Sequence, residues 1–567
     1  SDWGDVIRLS GARYGAGPDL KSRFGEPSAP ESLDEAGRQE MNPISWCLVL
    51  RETYTKSDAV KTSVSKNDSA VSDIARTAAT NTSGARIDST IPRPATYHAA
   101  SFAALDKTPP WVDSDMSGGI YSQSGWSIYT HRRLVDRWHF DFSPGTEATF
   151  LNWPVQDYPL CQLPQRVVDA LERLRPGASR LNIVDLAPRE RQVIFDDARQ
   201  HALGLLHHLQ TAVHDRVGDF PQSFRYLQLT DEFGTPDRLP PKPYVREGLR
   251  LEALTMLREQ DIRAATREPK WAKTLPSDSV FGFQFNIDFH PTRRKYLTDD
   301  RNGPWQFVHT PSRNWHTDTD RAVFPLRGLV PVATDGLLGG GKNIGVSSIV
   351  QSALRLHGQM MHVGQASGTI AALCLREQLQ PRDVAAETRR WREVQRTLVR
   401  GRGGPGVLLW PWHDVAPADS HFEAANMLAV RNIWPVDPDS VFFHGDRPLT
   451  RRELARTLDR LLRHLSDAPA KLKLDESTSA PRFTDVPADD VDRAAIESLI
   501  ARGKFGPQRE TFQPDAVVNW GSLHRWLVAL DLPASPGLVE KDRAELPLTR
   551  AEAARHLWRA ADLIGPP

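Results

Sequence analysis

The chain has 567 residues, with 71 basic and 71 acidic side chains and a formal net charge of zero. That length exceeds a single core and implies two to four domains, and a composition of 40% hydrophobic and 25% charged residues is that of a soluble globular protein. The charge balance excludes a general affinity for nucleic acid or for an anionic membrane.

The first residues, Ser1-Asp2-Trp3-Gly4-Asp5, carry no signal-peptide pattern, and a start at Ser is read as a processed or truncated product. No run of about 18 apolar residues occurs, so no membrane span is expected. Cys47, Cys161 and Cys374 are too widely spaced for a disulfide framework or a cysteine-only zinc site. They leave the compartment open, cytoplasmic or exported. From about Thr53 to Ser89 the chain is rich in Ser, Thr, Ala, Lys and Asp and lacks apolar periodicity, which reads as a long loop or insertion. Residues 185–215 place apolar side chains at three-to-four spacing and read as helix. The prolines of 236–243 exclude regular helix there.

Three groups of residues carry candidate chemistry. Asp231, Glu232, Asp237, Arg246, Glu247 and Arg250 make a charge-dense, proline-stiffened loop. Arg246 is expected to face a ligand, with Glu247 orienting it or ion-pairing elsewhere; an ion-pair network linking two domains is the alternative. Asn286, Asp288 and His290 alternate as on one face of a strand, gathering polar groups at a substrate pocket or in a buried network. One His and one Asp are too few for a metal site. His290 and His357 are the candidate general bases, because imidazole titrates near neutral pH; a structural histidine is the alternative for each.

The most informative stretch runs from Asp335 to Leu375. A short apolar strand is expected to end in Gly339, Gly340 and Gly341, which let backbone approach a ligand closely. A helix is expected from about Gly358, where Gly364, Ala366, Ser367 and Gly368 permit tight contact with another backbone. Its start would present unpaired N–H groups and a partial positive charge, suited to an electron-rich group. Gly336 to Asn343 nearly fits a phosphate-binding loop, but Asn343 stands where Ser or Thr should hold magnesium. Gly401, Gly403 and Gly406 fit G-x-G-x-x-G, but Pro405 lies inside and a strand-like run follows where a helix is needed.

Taken together, these blocks resemble a family of bacterial FAD-dependent oxidoreductases. The resemblance rests on Leu337-Leu338, Gly341-Lys342-Asn343-Ile344-Gly345, Ser352 with Arg355-Leu356, and Gly364-Gln365-Ala366-Ser367-Gly368-Thr369. It also rests on Asp231 to Asp237 with Leu239-Pro240-Pro241 and Pro243 to Glu247, on Asn152-Trp153-Pro154 with Asp157-Tyr158, and on Ser10-Gly11-Ala12 with Gly25-Glu26-Pro27. The blocks span residues 1 to about 385. The resemblance implies an α/β or α+β flavoprotein, with a partial Rossmann-like FAD domain and a mixed substrate domain. Residues 1–50 would continue the FAD domain, 51–322 would form the substrate domain with an insertion at about 53–135, and 323–385 would close over the flavin. It implies FAD as cofactor, held by Gly340, Gly341, Lys342, Asn343, Ile344, Arg355, Leu356, His357, Gly358 and Gln359. Lys342 or Arg355 would stabilise the reduced flavin. An organic small molecule would give hydride to flavin N5, with specificity set in the insertion and around Arg313-Asn314-Trp315-His316. The Gly-rich ADP-binding lobe of that family has no counterpart in the sequence, so a second polypeptide is expected to supply it.

After a linker at 386–406, residues 407–567 repeat internally. Trp412-His413-Asp414-Val415 aligns with Phe483-Thr484-Asp485-Val486, and Phe443 and Asp446 align with Phe512 and Asp515. The units resemble S-layer homology motifs, which implies a mostly α-helical repeat domain. Thr450-Arg451-Arg452-Glu453 and Thr549-Arg550-Ala551-Glu552 are also helix capping boxes. The motifs are degenerate, so packing on the enzyme or assembly is expected over glycan contact. The alternative for the whole chain is a wall- or glycan-binding structural protein with a degenerate enzyme domain.

Overall fold

The computed structural model describes residues 2–33, 37–53, 86–106, 128, 132–135, 148–217, 223–266, 268, 270–308, 316–401, 403–466, 483–503, 510–534 and 542–564. Most of the expected insertion, and Arg313, Asn314 and Trp315, lie outside the described residues. The chain divides into two compact units, Ser1–Ala29 with Leu249–Asp288 and His316–Pro567, and Pro30–Gly248 with Phe289–Trp315. Both are discontinuous in sequence, so the boundaries near 50 and 322 expected from the sequence are replaced by crossings near 29, 249, 288 and 316.

In the first unit the central pairing joins Ser279–Phe283 to Ala322–Pro325, antiparallel. Both strands are buried on both faces, which suits their run of Val and Phe. Phe281 stacks on Phe324 with ring centroids 5.3 Å apart. Gly282 lies where a Cβ would come within 2.9 Å of Pro411, and its N–H reaches Leu408 O. Helices His357–Glu377 and Thr388–Arg400 belong to this unit. The second of these replaces the expected linker: Trp391, Val394, Gln395, Leu398 and Val399 are its buried face. Gln395 Nε2 donates to Ser277 O and Ser279 O, tying the helix to the central strand.

The C-terminal part of this unit contains helices Phe422–Val430, Arg451–Ser466, Arg493–Arg502, Trp520–Ala529 and Arg550–Ile564. The internal repeat has a structural counterpart. Asp414 accepts from the N–H groups of Phe443 and His444, and Asp485 from those of Phe512 and Gln513, all at 2.7 Å. His444 and Gln513 share a left-handed φ of 54° and 58°. Three backbone bonds of 2.8 Å close a ring: Leu449 N–H to Leu548 O, Leu548 N–H to Val518 O, and Val518 N–H to Leu449 O. The three side chains are buried. Both capping boxes form, Thr450 with Glu453 and Thr549 with Glu552. Trp271 Nε1 donates to Asp437 O and Lys270 pairs with Asp439, so this helical part packs on the strand-bearing part.

The second unit has a four-stranded antiparallel sheet in the order Arg133–Val135, Ala148–Leu151, Leu48–Glu52, Leu227–Leu229. A short ladder pairs Ile44–Ser45 with Asp157–Tyr158, opposing Ser45 to Asp157. The helix expected over 185–215 is observed as Pro188–His208, continuing through one π-helical segment to Val217. Residues 236–243 contain no helix. Among the described residues every strand-to-strand ladder is antiparallel, so these residues do not themselves form the parallel sheet of a Rossmann core. No helix among them is long and apolar enough to cross a membrane.

Candidate active site

In the first unit the Gly339–Gly345 segment is irregular rather than the end of a strand. It is pinned at both ends. Gly339 N–H bonds Leu329 O, and Ser367 Oγ donates to Gly339 O at 2.6 Å. Gly345 N–H bonds Gly328 O at 2.8 Å, and a Cβ there would lie 2.5 Å from Ala253 Cβ and from Thr255 O. Between these anchors Ile344 is buried, Asn343 Nδ2 donates to Leu249 O at 2.7 Å, and Lys342 O accepts from Gln351 Nε2. The Lys342 ammonium is buried to 8% exposure, 3.9 Å from Asp2 Oδ1. Gly340 and Gly341 meet nothing: a Cβ on either would have no atom within 4 Å.

Helix Ser348–Ala353 follows, capped by Ser347 Oγ. The chain then turns at Arg355, whose buried guanidinium donates to Asp288 O at 3.1 Å and Asp288 Oδ2 at 3.0 Å. Leu356 caps the next helix, and Gln359 Oε1 accepts from its N–H at 2.9 Å. His357 and Gly358 occupy the exposed first turn, ahead of the first intrahelical bond from Met360 to Leu356. Gly358 also has open space where a Cβ would stand. Farther along, Gly364 and Gly368 border a 370 Å³ cavity shared with helix Thr388–Arg400, and no backbone is pressed against them among the described residues.

These features fit a flavin. Glycine backbone facing open space would admit a flat ring and a helix start would favour an electron-rich edge, while Lys342 and Arg355 each already face a carboxylate, Asp2 and Asp288.

The second unit holds a buried polar constellation. Asp157 is fully buried. Its Oδ1 accepts from Ser45 Oγ and lies 2.9 Å from Arg246 Nη2, and its Oδ2 lies 2.5 Å from His290 Nδ1. Burial would raise this carboxyl, but the Arg246 and His290 charges and hydrogen bonds outweigh it and hold it below the ordinary carboxylate range. Arg246, itself buried, also donates to Pro43 O and Ser45 Oγ. Glu247 does not orient Arg246 through its resolved bonds. It accepts from the backbone N–H and side-chain amide of Asn42 at 2.9 and 3.1 Å, and Asn42 Oδ1 accepts the His290 N–H at 3.2 Å. Arg246 and Glu247 are adjacent but take separate partners. Each reaches His290 by its own route, one through the Asp157 side chain and one through the backbone.

A carboxylate on Nδ1 sets the imidazole tautomer and leaves Nε2 as the basic nitrogen. The ring stays 14% exposed. Cys47 lies in the same region, but burial pushes its thiol up to about 12, which excludes it as a nucleophile near neutral pH. Among the described residues no group of three or more ligand side chains could hold a metal.

Sequence reasoning identified His290, Arg246 and Glu247 but assigned no role to Asp157, Ser45 or Asn42. Asp157 lay within a block used only for resemblance. His357 and His290 fall in different units, and Asp157 orients His290.

The comparison with curated proteins finds no match. The family model for FAD dependent oxidoreductase matches residues 1–398, which spans both units and ends inside helix Thr388–Arg400. On that match the chain belongs to the FAD dependent oxidoreductase family and is an enzyme that uses FAD.

Proposed function

We propose that the enzyme oxidises an organic small molecule by hydride loss, with His290 taking the proton that leaves with it. FAD, when bound, supplies N5 as hydride acceptor. His290 Nε2 receives the proton, and the resulting imidazolium is stabilised by Asp157, whose negative charge Arg246 and Ser45 keep in place. Asn42 and Glu247 fix the backbone that carries the ring. Lys342, Arg355 and the first-turn N–H groups at Gly358 and Gln359 favour negative charge at the cofactor ring. The observation that carries this reading is the His290–Asp157 pair, because a buried carboxylate with its own cation is the arrangement that makes a histidine an oriented base.

The reading also assigns the ADP half of the cofactor to polypeptide outside these 567 residues. Its support is the absence of a parallel ladder and a dinucleotide fingerprint among the described residues. Mass spectrometry of the native assembly is expected to find that polypeptide; flavin bound by this chain alone would refute the assignment.

The proton role is tested by anaerobic stopped-flow reduction of the bound flavin with a panel of alcohols and amines. For any substrate that bleaches the wild type, His290→Gln is expected to keep the flavin spectrum and slow reduction by roughly 10²–10⁴-fold. An unchanged rate would refute the assignment.

A further inference from the structure

Three carboxyl groups converge where the Gly339–Gly345 segment runs into helix Ser348–Ala353, and two of them are matched by cations. Asp19 Oδ2 accepts the Ser348 N–H at 2.8 Å and lies 3.2 Å from Arg250, while its Oδ1 lies 2.8 Å from Arg23. Glu259 pairs with Arg263 at 2.7 Å and accepts from the N–H and Oγ of Ser28, both at 2.7 Å. Arg258, the other cation that feels this cluster, is held by both oxygens of Asp261 at 3.0 and 3.1 Å.

Glu26 is the third carboxyl, and among the described residues no cation pairs with it. It is sealed from solvent at 0% exposure. Its Oε1 accepts from Ser347 Oγ and from the Glu259 N–H at 2.8 Å, and its Oε2 meets no donor. An ionised carboxylate there would face Asp19 and Glu259 with one oxygen bare, whereas a neutral acid is tolerated. Burial, with Asp19 and Glu259 adding to it, pushes the group up to about 7 against its two donors.

The place of Glu26 couples its proton to the cradle. Ser347 stands two residues past Gly345, the pinned end of the cradle. Its N–H bonds Leu257 O at 2.9 Å, and Leu257 N–H bonds Gly345 O at 3.0 Å. Leu257 leads directly into Arg258 and Glu259, so Glu26 Oε1 clamps residues 257–259 to residues 345–347. Ionisation draws the carboxylate toward water. Because the group is sealed, water reaches it only when the clamp parts, and the Lys342–Ile344 segment then loses its anchor.

We propose that the Glu26 proton latches the flavin cradle: the chain holds FAD with Glu26 protonated and releases it as that proton is lost. The proposal rests on reading Gly340–Ile344 as the seat of the flavin ring.

Fluorescence titration of the deflavinated native assembly with FAD reads the latch directly. The wild-type dissociation constant is expected to be about tenfold higher at about pH 8 than at about pH 6, following the loss of one proton. Glu26→Gln keeps Oε1 as acceptor and cannot ionise, so its affinity should be equal at both pH values. If that variant does not fold, the wild type decides: the infrared carbonyl band of a protonated buried acid should fade, in the flavin-free protein, with the midpoint of the affinity change. Gly341→Val puts its side chain into open space and separates the two readings. Loss of FAD from this variant at about pH 6 supports the cradle, and retention overturns cradle and latch together. If Gly341→Val loses FAD while wild-type affinity is equal at both pH values, the latch alone is overturned. A pH dependence that survives in Glu26→Gln overturns it too, as does a carbonyl band that does not fade.

Discussion

Glu26 sets up a measurable conflict between burial and charge. It is fully buried beneath the cap of helix Ser348–Ala353. Its Oε1 accepts from Ser347 Oγ and from Glu259 N–H, while Oε2 has no hydrogen bond among the described residues. Burial, reinforced by Asp19 and Glu259, pushes the carboxyl up to about 7 against these donors. The folded state therefore binds this proton more tightly than the unfolded chain does. Stability from the group is complete below the ordinary value of 4.5 and is lost as pH rises through about 7. Each tenfold in proton affinity is about 1.4 kcal/mol, so the full effect is about 3 kcal/mol, most of it falling between about pH 5 and 8. Glu26→Gln keeps Oε1 as acceptor and removes the titration. Urea unfolding at both pH values should show the wild type losing about 2–3 kcal/mol more than the variant over that interval. Parallel pH profiles in the two proteins would refute the reasoning.

Other perturbations follow from the same contacts. Asp157→Asn leaves the buried Arg246 charge without its counter-ion and should cost about 3–5 kcal/mol of stability by chemical denaturation, besides slowing flavin reduction. Gly345→Ala forces a Cβ within 2.5 Å of Ala253 and Thr255. Overpacking of this kind costs about 1–3 kcal/mol, and the displaced Lys342–Ile344 segment should lower the flavin content of the purified protein. Leu449→Ala empties one corner of the backbone ring and should cost about 2–5 kcal/mol, read as an early proteolytic opening of the C-terminal helices with flavin still bound.

What was legible in the sequence was local. The capping boxes at Thr450 and Thr549 span three residues each, and the helix Pro188–His208 announces itself by apolar spacing. The repeat was legible because it compares the chain with itself, although its bonds to Asp414 and Asp485 were not. Two local readings went astray. The glycines at 339–341 read as a strand end, but Gly339 is held by Leu329 and Ser367 and finds no ladder. The glycines after 400 masked a helical period in which Trp391, Val394, Leu398 and Val399 were already in register. The His290 constellation was beyond reach for a different reason. Asp157 is 133 residues from His290 and 112 from Ser45, and only strand pairing and tertiary packing bring them together.

The visible spectrum of the native assembly, followed by chromatography of whatever is released on denaturation, tests the account most directly. Absorption near about 375 and 450 nm with FAD released in stoichiometric amount is expected. A colourless preparation that releases no dinucleotide, and takes none up when FAD is added, would contradict it.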